Sequence, residues 1–213
     1  MKLLFEYLGF SITTWIRFIY YNFICGHVKR SGKRFFIPHR HVAIQLDNGS
    51  KIILNGTLFL GRPQVMNSKI ETRVLLEENA ILEINGLCFI DAGSFIRVTK
   101  NSKLAIGRTF INENVQITCG ESITIGNGCA IGRDVIIRSF DGHMLDLPNY
   151  KISKAITIGD HVWIGQGANI LKGVNICCDS VIAASALVTK NVESNTIVGG
   201  NPARVIKTEV KWH

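Results

Sequence analysis

His143 closes the motif SFDGH (139–143). A histidine of ordinary basicity can take a proton from a hydroxyl at neutral pH, so this residue is the first candidate for general-base chemistry. Asp141 stands two residues earlier, where a carboxylate can orient an imidazole and stabilise its protonated form, or simply form the turn ahead of Gly142. The six cysteines (Cys25, Cys88, Cys119, Cys129, Cys177 and Cys178) form no CxxC pair, which argues against a disulfide framework and against a CxxC zinc site. A cysteine nucleophile would need a base-paired thiolate in a cleft, yet Cys177 and Cys178 lie far along the chain from His143.

The elements that position these groups follow from a six-residue period. Ile158, Ile164, Ile170, Ile176, Ile182 and Val188 form one aliphatic column. Six residues of α-helix advance about 600°, which scatters such a column over several faces, whereas short strands joined by corners keep it on one side. Three residues after each column member stand His161, Gly167, Gly173, Asp179, Ser185 and Asn191, types suited to tight or left-handed turns. One position further stand Val162, Ala168, Val174, Ser180, Ala186 and Val192, small or β-branched residues that fit a narrow interior. Ile125, Ile131 and Ile137 obey the same rule, with Gly128 and Asp134 at corners. The regular repeats thus cover 123–193, interrupted by a loop at 138–151 that holds His143, and an interruption in a regular coil is where function concentrates. Hexads of this kind predict an all-β fold, a parallel β-helix with three sides per turn. Runs such as KIILNG, AILEING, SFIRVT and KLAIG in 41–124 read as degenerate earlier coils. Ile170 is expected to be buried, and Lys172 to be a solvated corner residue whose replacement is mild.

Residues 1–40 read as a helical and basic extension, 41–207 as the β-helix and 208–213 as a short tail. Leu4, Leu8, Ile12, Trp15, Ile16, Ile19 and Phe23 recur at helical spacing, while Glu6 and Arg17 interrupt the apolar run that a transmembrane helix needs. A basic cluster of Lys29, Arg30, Lys33, Arg34 and Arg40 follows. The combination fits an interfacial helix at an anionic membrane, and equally a helix that packs on its own domain or on a neighbouring subunit. With 24 Lys and Arg against 16 Asp and Glu the formal net charge is +8, which favours anionic partners without choosing among them. Nothing resembles a signal cleavage site, so a cytoplasmic location is expected, at the inner face of the membrane if the extension binds it.

The segments ITIGNGCAIGRDVIIRSFDGH (123–143), ITIGDHVWIGQGANILKGVNI (156–176) and VIAASALVTKNVESNTIVGGNPARVIK (181–207) together resemble the hexapeptide acyltransferase superfamily. The resemblance is to the branch of maltose, galactoside and nodulation acetyltransferases and of capsule and O-antigen O-acetyltransferases. It implies a left-handed parallel β-helix, a homotrimer, and acetyl-CoA bound between subunits as the acetyl donor. It implies His143 as general base, and Asn112, with Asn114 as the fallback, contacting an acceptor sugar. Trp163 would flank the pantetheine channel, and Gly165, Ala183, Ala184 and Ser185 would let the backbone approach the pantetheine amides. Thr189, Lys190, Arg204 and Lys207 would receive the nucleotide end, where cations suit phosphates.

The resemblance implies direct transfer of acetyl to a sugar hydroxyl of a bacterial surface polysaccharide or its precursor, without an acyl-enzyme. Transfer to a small acceptor (serine, a free sugar or an antibiotic) and a non-catalytic glycan-binding scaffold are the alternatives. A histidine-ligated metal site, as in a β-helical carbonic anhydrase, would need several histidines on adjacent coils, and only His143 and His161 fall in the regular repeat. No metal and no nucleic acid are expected among the partners.

Overall fold

The computed structural model describes residues 12–65 and 68–213. Among these residues the chain winds through three sheets of seven, nine and seven strands, in which strands pair parallel with those one turn before and one turn after, except that the last strand, Arg204–Lys207, runs antiparallel to Ile197–Gly199. These are the three faces of a parallel β-helix. The first face begins at Val28–Arg30, the second at Phe36–Pro38 and the third at Val42–Leu46. The coils therefore start earlier than the expected boundary at 41. The basic segment after the helix is already strand and corner, because Val28 and Arg30 pair with Ile52 and Leu54, and Phe36 and Pro38 with Leu58 and Leu60.

The six-residue columns face inward as expected. Ile158, Ile164, Ile170, Ile176, Ile182 and Val188 are all buried, as are Val162, Ala168, Val174, Ser180, Ala186 and Val192. The buried Ser180 hydroxyl donates to the Cys177 carbonyl at 2.7 Å, so a polar side chain is tolerated inside. His161, Gly167, Gly173, Asp179 and Ser185 have positive φ, the left-handed backbone that the corners demand. Asn191 does not. Its side-chain oxygen instead accepts the Asn175 N–H at 2.9 Å.

The earlier coils are longer. Leu82 pairs with Leu104 and Leu104 with Ile123, offsets of 22 and 19 residues, whereas Thr157 pairs with Asn175, an offset of 18. Early strands such as Ile81–Ile84 and Lys103–Ile106 bury two residues around one outward residue, while later ones such as Trp163–Ile164 bury one. Two coils carry excursions. One leaves after Arg62 and returns at Thr72, from the second face to the third; the other leaves after Arg138 and returns at Ile156, from the third face to the first. The second runs further than the expected 138–151, because Phe140 and Ser153 form an antiparallel bridge that closes its neck.

The helix Ile12–Ile19, continued by a π-turn at Tyr20–Ile24, lies on the outer side of the second face. Phe18 packs with Ile37 and Phe59, against Trp15, Phe35 and Phe89. The buried Asn22 acts as a substitute strand at the open end of the coil. Its side-chain NH2 donates to the Phe36 carbonyl at 2.6 Å and its oxygen accepts the Phe36 N–H at 2.9 Å. Arg17 adds a hydrogen bond to the Val42 carbonyl. The helix is thus a cap on the first coil, and no helix among the described residues is long and apolar enough to cross a membrane.

Candidate active site

Where the second face turns into the third, small residues recur coil after coil: Gly132, Gly165 and Ala183. A Cβ on Gly132 would stand 2.8 Å from the Gln166 nitrogen, and one on Gly165 2.6 Å from the Ala184 nitrogen, so the coils can stack this tightly only with glycine there. The result is a groove of about 460 Å³ lined by Asn112, Arg133, Trp163, Gly165, Ala183 and Ala184, with Gln166 on its edge. Sequence-predicted residues for the acceptor and for pantetheine thus meet in one place. The N–H groups of Gly165 and Ala183 are spent on coil stacking, donating to the Ile182 and Val198 carbonyls at 2.8 Å. Those of Gln166 and Ala184 have no partner among the described residues, leaving two backbone donors at the groove. Trp163 is 46% exposed and stands between Ala130 and Val181 on the outer side of the second face.

Asn112 sits in a polar cluster that the sequence did not reveal. Gln64, from the first excursion, donates through Nε2 to Asn112 Oδ1 at 2.8 Å and to Asp91 at 3.0 Å, and Arg133 donates to Gln64 Oε1 at 2.6 Å. Asp91 is fully buried and paired with Arg62 at 3.1 Å, and Arg133 pairs with Glu113 at 3.3 Å. Asn114 does not share this cluster. It occupies a left-handed corner with its side-chain oxygen packed over Gly93, which makes it a turn residue.

His143 lies on the second excursion, at the corner between the third and first faces, and is exposed. The groove is at a different corner, so one chain does not bring the imidazole to Asn112. Asp141 is engaged with partners other than His143: it accepts hydrogen bonds from Tyr150 Oη at 2.5 Å and from Lys172 Nζ. Lys172 also donates to the Lys151 carbonyl at 2.6 Å and lies 4.1 Å from the centre of the Tyr150 ring. Desolvation pushes the Asp141 carboxyl up, but the hydrogen bonds from Lys172 and Tyr150 and the Lys172 charge outweigh it and hold the carboxyl below its ordinary value. Lys172 is raised in turn, since the bond to Asp141 outweighs its desolvation. Lys172 is therefore a clamp on the His143 loop rather than a free corner residue.

Thr189, Lys190 and Arg204 converge on a second, smaller groove of about 150 Å³ at the C-terminal end. Lys207 does not join them. The strand Arg204–Lys207 runs antiparallel to Ile197–Gly199, which sets Arg204 opposite Gly199 and Lys207 opposite Ile197, at the other side of the face. Ser185 is exposed at its corner and lines neither groove. The expected tail instead folds back. Trp212 stacks on His161 with ring centres 4.0 Å apart, donates from Nε1 to the His161 carbonyl at 3.0 Å, and stands 6.1 Å from Trp163. Burial raises the thiols of Cys88 to about 12 and of Cys119 and Cys129 to about 11, so these three are inert core residues. Among the described residues no group of three or more His, Cys, Asp or Glu is placed to hold a metal ion.

No family model matches the chain. Individual relatives do. A putative acetyltransferase of Saccharomyces cerevisiae, YJL218W, is 33% identical over 166 residues, covering 68% of this chain and 84% of that protein. The chain belongs to the hexapeptide-repeat acetyltransferases. The polysialic acid O-acetyltransferase of Escherichia coli O1:K1 is 41% identical over 123 residues, which is 55% of this chain and 40% of that enzyme. The galactoside O-acetyltransferase of Escherichia coli K12 is 39% identical over 111 residues, half of this chain and 54% of that enzyme. The match therefore spans only about half, or less, of these two relatives. Among solved structures, the polysialic acid acetyltransferases NeuO and OatWY superpose with TM-scores of 0.60 and 0.65 at 28% and 26% identity, each covering 87% of this chain and 82% and 86% of theirs.

For a member of this family, the residues that sequence reasoning missed are Gln64, Arg133, Gln166, Lys172, Tyr150 and Trp212. Gln166 was within reach, because it directly follows the WIG of the recognised motif. The others carry no local signal, since their roles come from contacts between distant coils or between loop and tail.

Proposed function

We propose that this chain is an acetyl-CoA-dependent O-acetyltransferase that acts in the cytoplasm on a sugar hydroxyl of a bacterial surface polysaccharide or its precursor. The observation that carries the reading is the convergence of Asn112, Trp163, Gly165, Ala183 and Ala184 on one groove whose floor is glycine and alanine and whose edge offers the unspent N–H groups of Gln166 and Ala184. A slender amide chain such as pantetheine fits a floor without side chains and pairs with such donors. The cationic groove at Lys190 and Arg204 suits the phosphates of the donor. The glycan acceptor is favoured by the similarity to enzymes named for acetylating polysialic acid.

The imidazole of His143 takes the acceptor hydroxyl proton as the oxygen attacks the acetyl carbonyl carbon. The tetrahedral oxyanion is held by backbone N–H donors, the C–S bond then breaks, and the thiolate of CoA leaves with the proton returned by the imidazolium. Because His143 and the groove occupy different corners, a complete site is formed when the His143 loop of one subunit reaches the groove of the next, in a homotrimer. The exposed Met144, Leu145 and Leu147 beside His143 give that loop an apolar tip to bury in such a contact.

The deciding experiment measures acetyl-CoA consumption against a panel of polysaccharide repeat units, free sugars and small hydroxylated acceptors. Turnover with glycan units, lost about 10²–10⁴-fold in His143→Ala, is the expected result. Turnover only with small acceptors moves the acceptor assignment, and no turnover with any acceptor removes the catalytic reading.

A further inference from the structure

The capping helix is apolar on both sides. Its inward side uses Thr14, Phe18 and Asn22, which are buried, with Trp15 and Tyr21 partly so. Its outward side presents Ile12, Ile16, Ile19, Tyr20, Phe23 and Ile24, all exposed, with Ile12, Ile16, Phe23 and Ile24 more than half so. Their spacing of four, three, one, three and one keeps them on one stripe. A helix that only capped the coil would carry polar residues there.

Cations border the stripe. The Arg30 guanidinium lies 4.7 Å from the centre of the Phe23 ring and 5.3 Å from that of Phe35, and donates to the Arg34 carbonyl. Lys29, Lys33 and Arg34 are exposed beside it, on the strand and turn that follow the helix. From Ile12 to Leu46 the chain has six Lys and Arg and no Asp or Glu, so this one end carries most of the formal net charge of +8. A second exposed apolar patch, at Met144, Leu145 and Leu147, contains Asp146 and stands beside Asp141. Apolar side chains on one stripe, bordered by cations and free of acids, match the acyl region and headgroups of an anionic lipid surface.

We infer that the outward side of the helix Ile12–Ile19 and its π-turn, together with Arg30, Lys33 and Arg34, is a docking surface for an anionic bilayer. The helix lies flat in the interface while its inward side stays on the second face of the coil. The catalytic groove is lined by other residues of the same molecule, so docking leaves it in place and holds the enzyme where membrane-linked acceptors are presented.

The test is co-sedimentation of the full chain with vesicles of phosphatidylglycerol and phosphatidylcholine, and with vesicles of phosphatidylcholine alone, at low and high salt. Two double variants are compared with the wild type: Ile16→Ser with Phe23→Ser, and Lys33→Gln with Arg34→Gln. All four positions are exposed, so melting temperature and particle mass by light scattering should not change. The expected result is wild-type binding to the anionic vesicles that weakens with salt. The charge variant should bind about twenty-five-fold more weakly, since each cation near an anionic leaflet contributes roughly fivefold, and the apolar variant more than tenfold more weakly. Wild-type protein that stays in the supernatant at low salt overturns the inference. So does an apolar variant with reduced particle mass, which would assign the stripe to a second copy of the chain. Binding is read without turnover, so failure here leaves the proposed reaction standing, and failure of the reaction leaves this result interpretable.

Discussion

The side-chain amide of Gln64, carried by the excursion between Arg62 and Thr72, donates to Oδ1 of Asn112 at 2.8 Å. The same oxygen accepts the Glu113 N–H at 2.8 Å and Arg133 Nε at 3.4 Å. With its oxygen occupied, Asn112 has only its NH2 to offer the groove, so a sugar bound there would be met through an oxygen lone pair rather than through a hydroxyl proton. Gln64→Ala removes the strongest side-chain restraint on that orientation. It should cost two- to tenfold in kcat/KM for the glycan, the worth of one neutral hydrogen bond, and leave the KM for acetyl-CoA unchanged. Steady-state kinetics with each substrate varied in turn separates the two, and a change confined to the acetyl-CoA KM would remove Asn112 from the acceptor side.

The loop that carries His143 should keep its clamp across the pH range in which an imidazole titrates. Asp141 is held below its ordinary carboxyl value, so its bond to Lys172 is fully formed above about pH 4 and is lost only as pH falls below that. Lys172 is raised above its ordinary value, so it stays charged beyond pH 10. An acid limb of kcat/KM above about pH 4 therefore cannot come from loosening of the loop. The prediction is an acid limb at the same pH for the wild type and for Asp141→Asn. A limb that moves in Asp141→Asn would make the carboxylate part of the base after all.

Lys172→Met keeps the length of the side chain and removes three contacts: the ion pair to Asp141, the bond to the Lys151 carbonyl and the cation over Tyr150. Exposed ion pairs contribute little to global stability, so the melting temperature should change by no more than a degree or two. Turnover should fall about tenfold or more, because the loop that must present His143 loses its anchor. Comparing melts with kcat tests this directly. Equal kcat in mutant and wild type would show that Lys172 is the bland corner residue its sequence position suggests.

The later coils were legible because their turns are 18 residues long, so a hexad falls on the same face every time and Ile158 to Val188 line up in the sequence as they do in the core. The earlier coils obey the same geometry with strands that are longer by about a residue per side, so Leu82, Leu104 and Ile123 stack in space without any fixed spacing in the chain. The groove was legible through Trp163, Gly165, Ala183 and Ala184, which sit inside the repeat. What surrounds it was not. Gln64 reaches Asn112 across 48 positions and Trp212 reaches His161 across 51, and no local pattern marks either end of such a contact. The boundary at 41 was misplaced because Val28–Arg30 and Phe36–Pro38 are only three residues each, too short for alternation to register.

Lys190 and Arg204 line the terminal groove together, whereas Lys207 lies at the other end of its strand. Lys190→Ala and Arg204→Ala should each raise the acetyl-CoA KM about five- to tenfold with little change in kcat, as loss of a charged contact remote from the reacting carbonyl does. Lys207→Ala should leave that KM within twofold. A Lys207 effect equal to that of Arg204 would mean that the donor's nucleotide lies across the whole terminal strand and not in the groove.

Acid should loosen the capped end of the coil before the rest. His39 is pushed down to about 4, chiefly by burial and further by the charges of Arg40, His41 and Arg17, so it is neutral in the folded chain where an unfolded histidine would already be protonated. Between about pH 6.5 and pH 4 the unfolded chain therefore binds more protons at this site than the folded one. Stability must fall as pH drops through that window and be independent of His39 above it. The side chain is only partly buried, which keeps the effect modest, and carboxylates such as Asp141 release their contribution only at lower pH. His39→Gln removes the titrating group. Thermal melts at intervals from pH 7.5 to 4.5 should show the wild-type melting temperature declining through the window and the variant's declining less. Parallel curves for the two proteins would assign the acid sensitivity to another group and leave His39 without a part in it.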